Sequence, residues 1–378
     1  NKNKQLNKKK LTNFLNFKIL IQKYPLLKSL TNNYNYSFKK KYLLNFKKFN
    51  EFNLIGMGGS ILGAQAIYDF LNRKIKKKFF FFNNLQKYKI TKSNKKRLNI
   101  IISKSGNTLE TLSNLNLVLT KQKKNKNLII TENKNNILRA MANKLKSDVI
   151  DHKNYIGGRY SVLSEVGMVP AELMGLNEKK FKRLNYLIKN KTFINFLIEN
   201  VSSIHSNIIK GKKNCVILNY DEKLNNFLKW YQQLSAESLG KKGKGFFPII
   251  STMPKDNHSL LQLYLDGPKN NFFSFFFTRE RSPIKFNNAY LIDGLEHLKK
   301  KSLDQVMYAQ KKATQNVFNK KKLSFRSFEI KNKSEETLGE LFTFFILETL
   351  MLSSLLNVNP INQPSVELIK IETKKILK

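Results

Sequence analysis

Phe52-Asn53-Leu54-Ile55-Gly56-Met57-Gly58-Gly59-Ser60 is a short apolar run that ends in a glycine turn, and the residues that follow, as far as Leu71, keep helical spacing. A strand that hands over to a helix through glycines leaves unpaired backbone N–H groups and the positive end of the helix dipole pointing outward, which is where anions bind. The pattern recurs where Leu98 to Ile102 leads into Ser103-Lys104-Ser105-Gly106-Asn107-Thr108 and a helical stretch to Leu119. A third turn, Gly157-Gly158-Arg159-Tyr160-Ser161, again joins glycines to hydroxyls. Together the three turns predict a site for a phosphorylated small molecule.

Outward from these turns the elements alternate. Strands are expected near Phe52, at Leu98, at 127–131 and at 149–151, with helices at 60–71, 108–119 and 136–144; the lysine-rich stretch holding Phe79 to Phe82 reads as a turn. Such alternation implies a parallel sheet covered on both faces, a doubly wound α/β domain. Helical spacing follows at 161–173 and 181–200. A second alternating set has strands at 215–218 and 272–277, an apolar run at 247–250, and helices at 223–238 and 259–265, closed by helices at 302–316 and 335–356. Element order alone predicts a second, related domain. Pro360 and Pro364 should break the last helix and set a turn before Val366. The first 45 residues read as polar-basic helices stapled by Leu15, Ile19, Leu20 and Leu26.

The chain has 378 residues, enough for two domains, and carries 69 Lys plus Arg against 26 Asp plus Glu, a net charge of +43. That balance suits nucleic acid or an acidic membrane. The lysines are spread along the chain instead of forming a stripe, and the enriched Lys, Asn, Ile, Phe and Tyr share A/T-rich codons, so compositional drift explains the charge and no specific nucleic-acid partner is expected. Cys215 is the single cysteine, which excludes an intrachain disulfide and fits a reducing compartment. His152, His205, His258 and His297 lack zinc-type spacing, and no metal is expected. Leu338 to Leu356 is apolar but holds Glu340 and Glu348, so a buried helix is expected there and no membrane association. The N-terminus is a poor secretory leader, and a cytoplasmic protein is expected.

In the Ser103 turn, hydroxyls, exposed amides and Lys104 suit a phosphate monoester, and Asn107 with Glu110 resembles a capping box. Gly56 to Gly63 follows GxGGSxxG, not the dinucleotide pattern, and no acidic ribose partner stands at the required spacing, so no nucleotide cofactor is expected. Arg159, flanked by glycines in a lysine-dominated chain, points to a need for a planar, permanently charged fork. Glu237, near the end of an apolar helix, is a proton-shuttling base if burial tunes it and a solvated helical carboxylate otherwise. His258 alone reads equally as a loop or core histidine.

Taken in chain order, GMGGSILG (56–63), SKSGNTLET (103–111), GGRYSVLS (157–164), QQLSAES (232–238), DNHSLLQLYLDGP (256–268), LGELFTFFILET (338–349) and QPSVELIK (363–370) resemble the glucose-6-phosphate isomerase family, in its short bacterial form. The resemblance runs from Leu54 to Lys370. It implies two doubly wound sugar-isomerase domains with parallel central sheets, at 46–185 and 186–359, an N-terminal helical segment at 1–45 and a C-terminal segment at 360–378. It also implies a homodimer with shared active sites and a reaction without metal or other cofactor. Carried over by residue, Ser103, Lys104, Ser105 and Thr108 hold the phosphate, with Gly58, Gly59 and Ser60 beside the sugar. Glu237 moves the proton between C1 and C2, Arg159 stabilises the enediolate, His258 assists ring opening with support from Lys370, and Gln233 orients the substrate. Asn257 replaces the family's usual Gln, and Ser365 a smaller residue. A sugar-phosphate sensor on the same fold is the main alternative, and it would not need Glu237, His258 and Lys370 together.

Overall fold

The computed structural model describes residues 11, 17–89, 96–122, 125–279 and 284–377. Leu15 and most of the first sixteen residues lie outside these, while Leu20 and Leu26 are buried as staples. Helices α1 (Phe17–Lys23) and α2 (Lys40–Lys47) lead into the first sheet, built from β1 (Glu51–Gly56), β2 (Lys78–Phe82), β3 (Leu98–Ile102), β4 (Lys126–Glu132) and β5 (Asp148–His152). All five strands are parallel, in the order β2-β1-β3-β4-β5. Helices α3 (Leu62–Phe70), α4 (Leu109–Lys121) and α5 (Ile137–Lys144) cross between them.

Phe79 to Phe82, expected as a turn, is instead strand β2. An unbroken run of Phe conceals the alternation, but Phe79 stacks on Phe52 with centroids 4.5 Å apart, while Phe80 faces outward beneath the Arg97 guanidinium at 4.1 Å. Both faces of the strand are used, Phe79 packing into one core cluster and Phe82 into another, so no period-two pattern marks it in sequence.

After α6 (Glu165–Leu173) and α7 (Lys191–Ile209), the second sheet comprises β6 (Asn214–Asn219), β7 (Phe247–Thr252), β8 (Asn271–Thr278) and β9 (Phe325–Ile330), again parallel, in the order β7-β6-β8-β9. The helices here are α8 (Asn225–Leu239), α9 (Leu261–Asp266), α10 (Leu303–Lys320), α11 (Glu335–Leu356) and α12 (Pro364–Ile376). The expected helix at 181–200 is displaced to α7 because Asn190 caps it, accepting from the Phe193 N–H at 3.1 Å. Pro364 does not set a turn before Val366. It occupies the first helical position of α12, where its missing N–H costs nothing.

α11 is long and apolar enough to cross a membrane, yet 78% of its most apolar stretch is buried inside the fold. Its Glu348 meets the Tyr231 hydroxyl at 2.9 Å and also binds Arg326 and Asn200. In both sheets the strand order reverses beside the first strand, between β1 and β3 and between β6 and β8. Crevices at the carboxyl ends of such strands are where ligands of doubly wound folds bind.

Candidate active site

The crevice of the first sheet is edged by two of the turns seen in the sequence. Gly56 ends β1 and pairs with Ile102 at the end of β3, so the turns at Gly58 and Ser103 stand side by side. The third turn closes on the first. Gly59 lies so near Gly158 that a Cβ would fall 2.2 Å from the Gly158 carbonyl carbon, and only glycine permits that approach. Gly58 adopts φ +52°, and a Cβ there would meet the Gln233 amide nitrogen at 2.8 Å. The Ser161 hydroxyl donates to the Gly158 carbonyl of its own turn at 2.7 Å and lies 3.3 Å from the Gly59 carbonyl of the other.

α8 crosses this junction and supplies Gln233, Glu237 and Ser238. One oxygen of Glu237 accepts from Gln233 Nε2 at 2.7 Å and the other from Arg159 Nη1 at 3.0 Å, while the carboxylate stays 27% exposed. Arg159 itself is buried. Its Nε donates to Ser238 Oγ at 2.8 Å, and Nη2 donates to the carbonyls of Pro360, Ile361 (2.9 Å) and Asn362 (3.3 Å). Nη1 also donates to the Gln363 side chain. The guanidinium therefore anchors the turn before α12 and presents one edge to Glu237. One turn beyond Glu237, the Lys241 ammonium donates to the Asn359 carbonyl, and burial, reinforced by the Arg159 charge and opposed by Glu237, pushes it down to about 8.

In the neighbouring turn Ser103 is buried, its hydroxyl 2.9 Å from that of Thr108 and accepting from the Gly106 N–H at 3.2 Å. Ser105 accepts from the Asn107 N–H at 3.3 Å. The expected capping box does not form: Thr108 is the N-cap of α4 without a side-chain bond, and Asn107 Oδ1 accepts instead from the Ile137 N–H of α5 at 3.0 Å. Lys104 donates to the Asn154 carbonyl at 2.8 Å and lies 3.4 Å from Glu132. Beside it sits buried His152, with neither ring nitrogen hydrogen-bonded.

The structure thus brings Gly58, Gly59, Arg159, Gln233 and Glu237 into direct contact and sets Ser60, Ser103, Lys104, Ser105 and Thr108 along the same edge. His258 and Lys370 do not join them within one chain. His258 is exposed after β7, and Lys370 is exposed on α12, bonded to Glu367 at 2.7 Å. Sequence reasoning did not single out Tyr160, Ser238 or Gln363, although each lies inside a quoted motif; their contacts with Arg159 join segments up to 204 residues apart. A separate cavity of about 570 Å³, lined by Asn225, Lys229, Gln232, Pro248, Ile249, Ile250 and Thr252, lies against β7 and shares none of these residues.

Residues 27–246 match the family model described as phosphoglucose isomerase. A glucose-6-phosphate isomerase of Methanocaldococcus jannaschii is 31% identical over 358 residues, covering 88% of this chain and 86% of the relative. One from Mycoplasmopsis synoviae is 34% identical over 345 residues, covering 84% and 80%. The crystal structure of hypothetical protein TT0462 from Thermus thermophilus superposes with a TM-score of 0.83 over 99% of this chain and 94% of that one, at 23% identity, and so shares its fold.

Proposed function

Because the chain belongs to the phosphoglucose isomerase family and its reaction is the interconversion of glucose 6-phosphate and fructose 6-phosphate, we propose that the reaction runs in the cleft at Gly58, Arg159 and Glu237. The observation that carries this placement is the Glu237 carboxylate, held at the cleft wall between the Gln233 amide and the Arg159 guanidinium. An α-hydroxy aldehyde is a weak carbon acid, and its proton transfer needs a positioned base and fixed positive charge near the developing oxyanion. Glu237 takes the proton from C2 of the opened aldose and returns it to C1 of the cis-enediolate; the fixed positive charge of Arg159, beside Glu237, offsets the charge that develops on the enediolate oxygens. The electron pair stays within the sugar, so the step calls on no external oxidant or reductant. Ser103, Ser105 and Thr108 hold the phosphate with Lys104, Gly58, Gly59 and Ser60 border the sugar, and Gln233 orients it.

His258 opens the ring with support from Lys370, and His258 reaches the cleft of the partner in a homodimer. This accords with an exposed His258 and with α12, which buries none of its residues and leaves Leu368 and Ile369 66% and 72% exposed. Apolar surface of that kind marks an interface. A soluble, cytoplasmic setting accords with the relatives and with a phosphorylated substrate. Glu237→Gln tests the assignment: it keeps shape and removes the base, so turnover of fructose 6-phosphate in a coupled assay should fall at least ~100-fold while substrate binding persists. Near-normal turnover would overturn it.

A further inference from the structure

We infer that the second sheet contains a phosphate-type anion site that the chain fills with its own carboxylate, Asp221. The two sheets share one wiring, with β6 and β8 in the places of β1 and β3. At the first switch point the edges are a glycine turn and a hydroxyl-rich turn. At the second they are the turn that follows Asn219 and Thr278, the last residue of β8.

Asp221 spans that mouth. Its Oδ2 accepts from Thr278 Oγ1 at 2.6 Å and lies 2.8 Å from Lys333 Nζ, and its Oδ1 accepts from the Lys223 N–H at 2.9 Å. The Asp221 and Lys333 side chains are only 13% and 12% exposed, so the pair is largely withdrawn from water. A hydroxyl, an ammonium and a backbone N–H are the donors that bind a phosphate at such a crevice. Here two carboxylate oxygens take them. Counted from the last residue of each first strand, the Asp221 side chain also stands where the first sheet has Gly58. The consequence is a chain with two related crevices but one phosphosugar site, the second crevice being closed to anions by an internal one.

The comparison rests on the phosphate role given to the first crevice, and the test separates the two. Inorganic phosphate is titrated calorimetrically into the full-length wild type and variants, with thermal unfolding followed in parallel. Wild type should bind one equivalent per chain. Asp221→Ala should bind a second, and its Tm should rise with phosphate more steeply than that of wild type, because a ligand that binds only the folded state stabilises it by mass action. Asp221→Asn, which keeps the bulk and the acceptor oxygen, should bind only one. A folded Asp221→Ala protein with unchanged stoichiometry, or a wild type that takes two equivalents, would overturn the inference. If Asp221→Ala does not accumulate folded, Asp221→Ser takes its place in the same titration. Ser103→Ala should abolish the first equivalent; its survival would sink the phosphate role of the Ser103 turn while leaving the added equivalent of Asp221→Ala standing.

Discussion

Arg159 directs four of its contacts to the turn at Pro360 to Gln363, and a short chain of hydroxyls fixes its plane. Tyr160 donates its one proton to the Pro360 carbonyl at 3.0 Å, and Arg159 has protons only to give. Ser238 must therefore accept from Arg159 Nε and donate to the Tyr160 oxygen, 2.8 Å away. A chain with one possible proton direction holds the guanidinium edge toward Glu237. Ser238→Ala or Tyr160→Phe should lower kcat about fivefold, the equivalent of roughly 1 kcal/mol for one lost hydrogen bond, with KM changed less than about twofold. In an Arg159→Lys background the Ser238 change should add almost nothing; additive losses would show that the hydroxyls act elsewhere.

His152 makes a second residue-scale case. Burial, with the Lys104 charge adding to it and Glu132 opposing, pushes its imidazole down to about 4 from 6.5. The native state then binds fewer protons than the unfolded chain between those values, so the stability is whole above about pH 6.5 and is lost as pH falls toward 4. The loss is about 3 kcal/mol. Urea unfolding of wild type and His152→Phe from pH 7 to 4 should show wild type losing that much more; parallel losses would remove His152 from the account.

At the scale of elements, the first sheet is pinned by an amide ladder at its amino end. Asn53, Asn99 and Asn127 are cross-strand partners on β1, β3 and β4, joined by bonds of 2.8 Å, and all three are buried. Sliding any strand by one residue would leave buried amides unpaired, so the ladder selects the register that also aligns the Gly58 and Ser103 turns. Asn99→Ala should cost about 1–3 kcal/mol by orphaning its neighbours, whereas Val at all three positions should recover most of it. Midpoints of urea unfolding at an unchanged m value measure both. Equal destabilisation by the single and triple changes would contradict the ladder's role. Strand β9 was illegible in sequence for a related reason. Its Arg326 looks like a surface residue until Glu348, Tyr231 and Asn200 are folded around it, with Arg326 Nη2 3.0 Å from the Tyr231 hydroxyl.

On the scale of the whole molecule, the expected function needs residues that one chain keeps apart. If His258 enters the cleft of the partner protomer while Glu237 stays in its own, inactive His258→Ala and Glu237→Gln proteins, unfolded together and refolded, should regain activity. Half of randomly paired dimers are mixed, and each holds one intact site of two, giving roughly a quarter of wild-type activity under two-fold symmetry. Verified heterodimers without recovery would defeat the shared site. The net charge of +43 belongs to this scale too: as drift, it produces only non-specific DNA binding that fades as salt approaches physiological strength. Sequence-selective binding at that salt would speak for a nucleic-acid partner.

The sequence by itself determined what is local or periodic. Alternating apolar runs and helical spacing specified two parallel-sheet folds, because side-chain period and strand–helix alternation are written in neighbouring residues. The glycine and hydroxyl turns were legible because a close backbone approach tolerates few residue types, and the ordered motifs identified the family. Tertiary structure alone decided the rest. Whether Glu237 lies at the cleft wall or on a solvated helix depended on where α8 crosses the Gly58 turn, and the length of Arg159's reach to Gln363 is 204 residues of chain. Lys104 bonds to Asn154, Phe79 to Phe82 becomes an edge strand, and Asp221 closes the second crevice. Each of these outcomes is set by contacts between segments distant in sequence, whose energies exist only once the chain has brought them together.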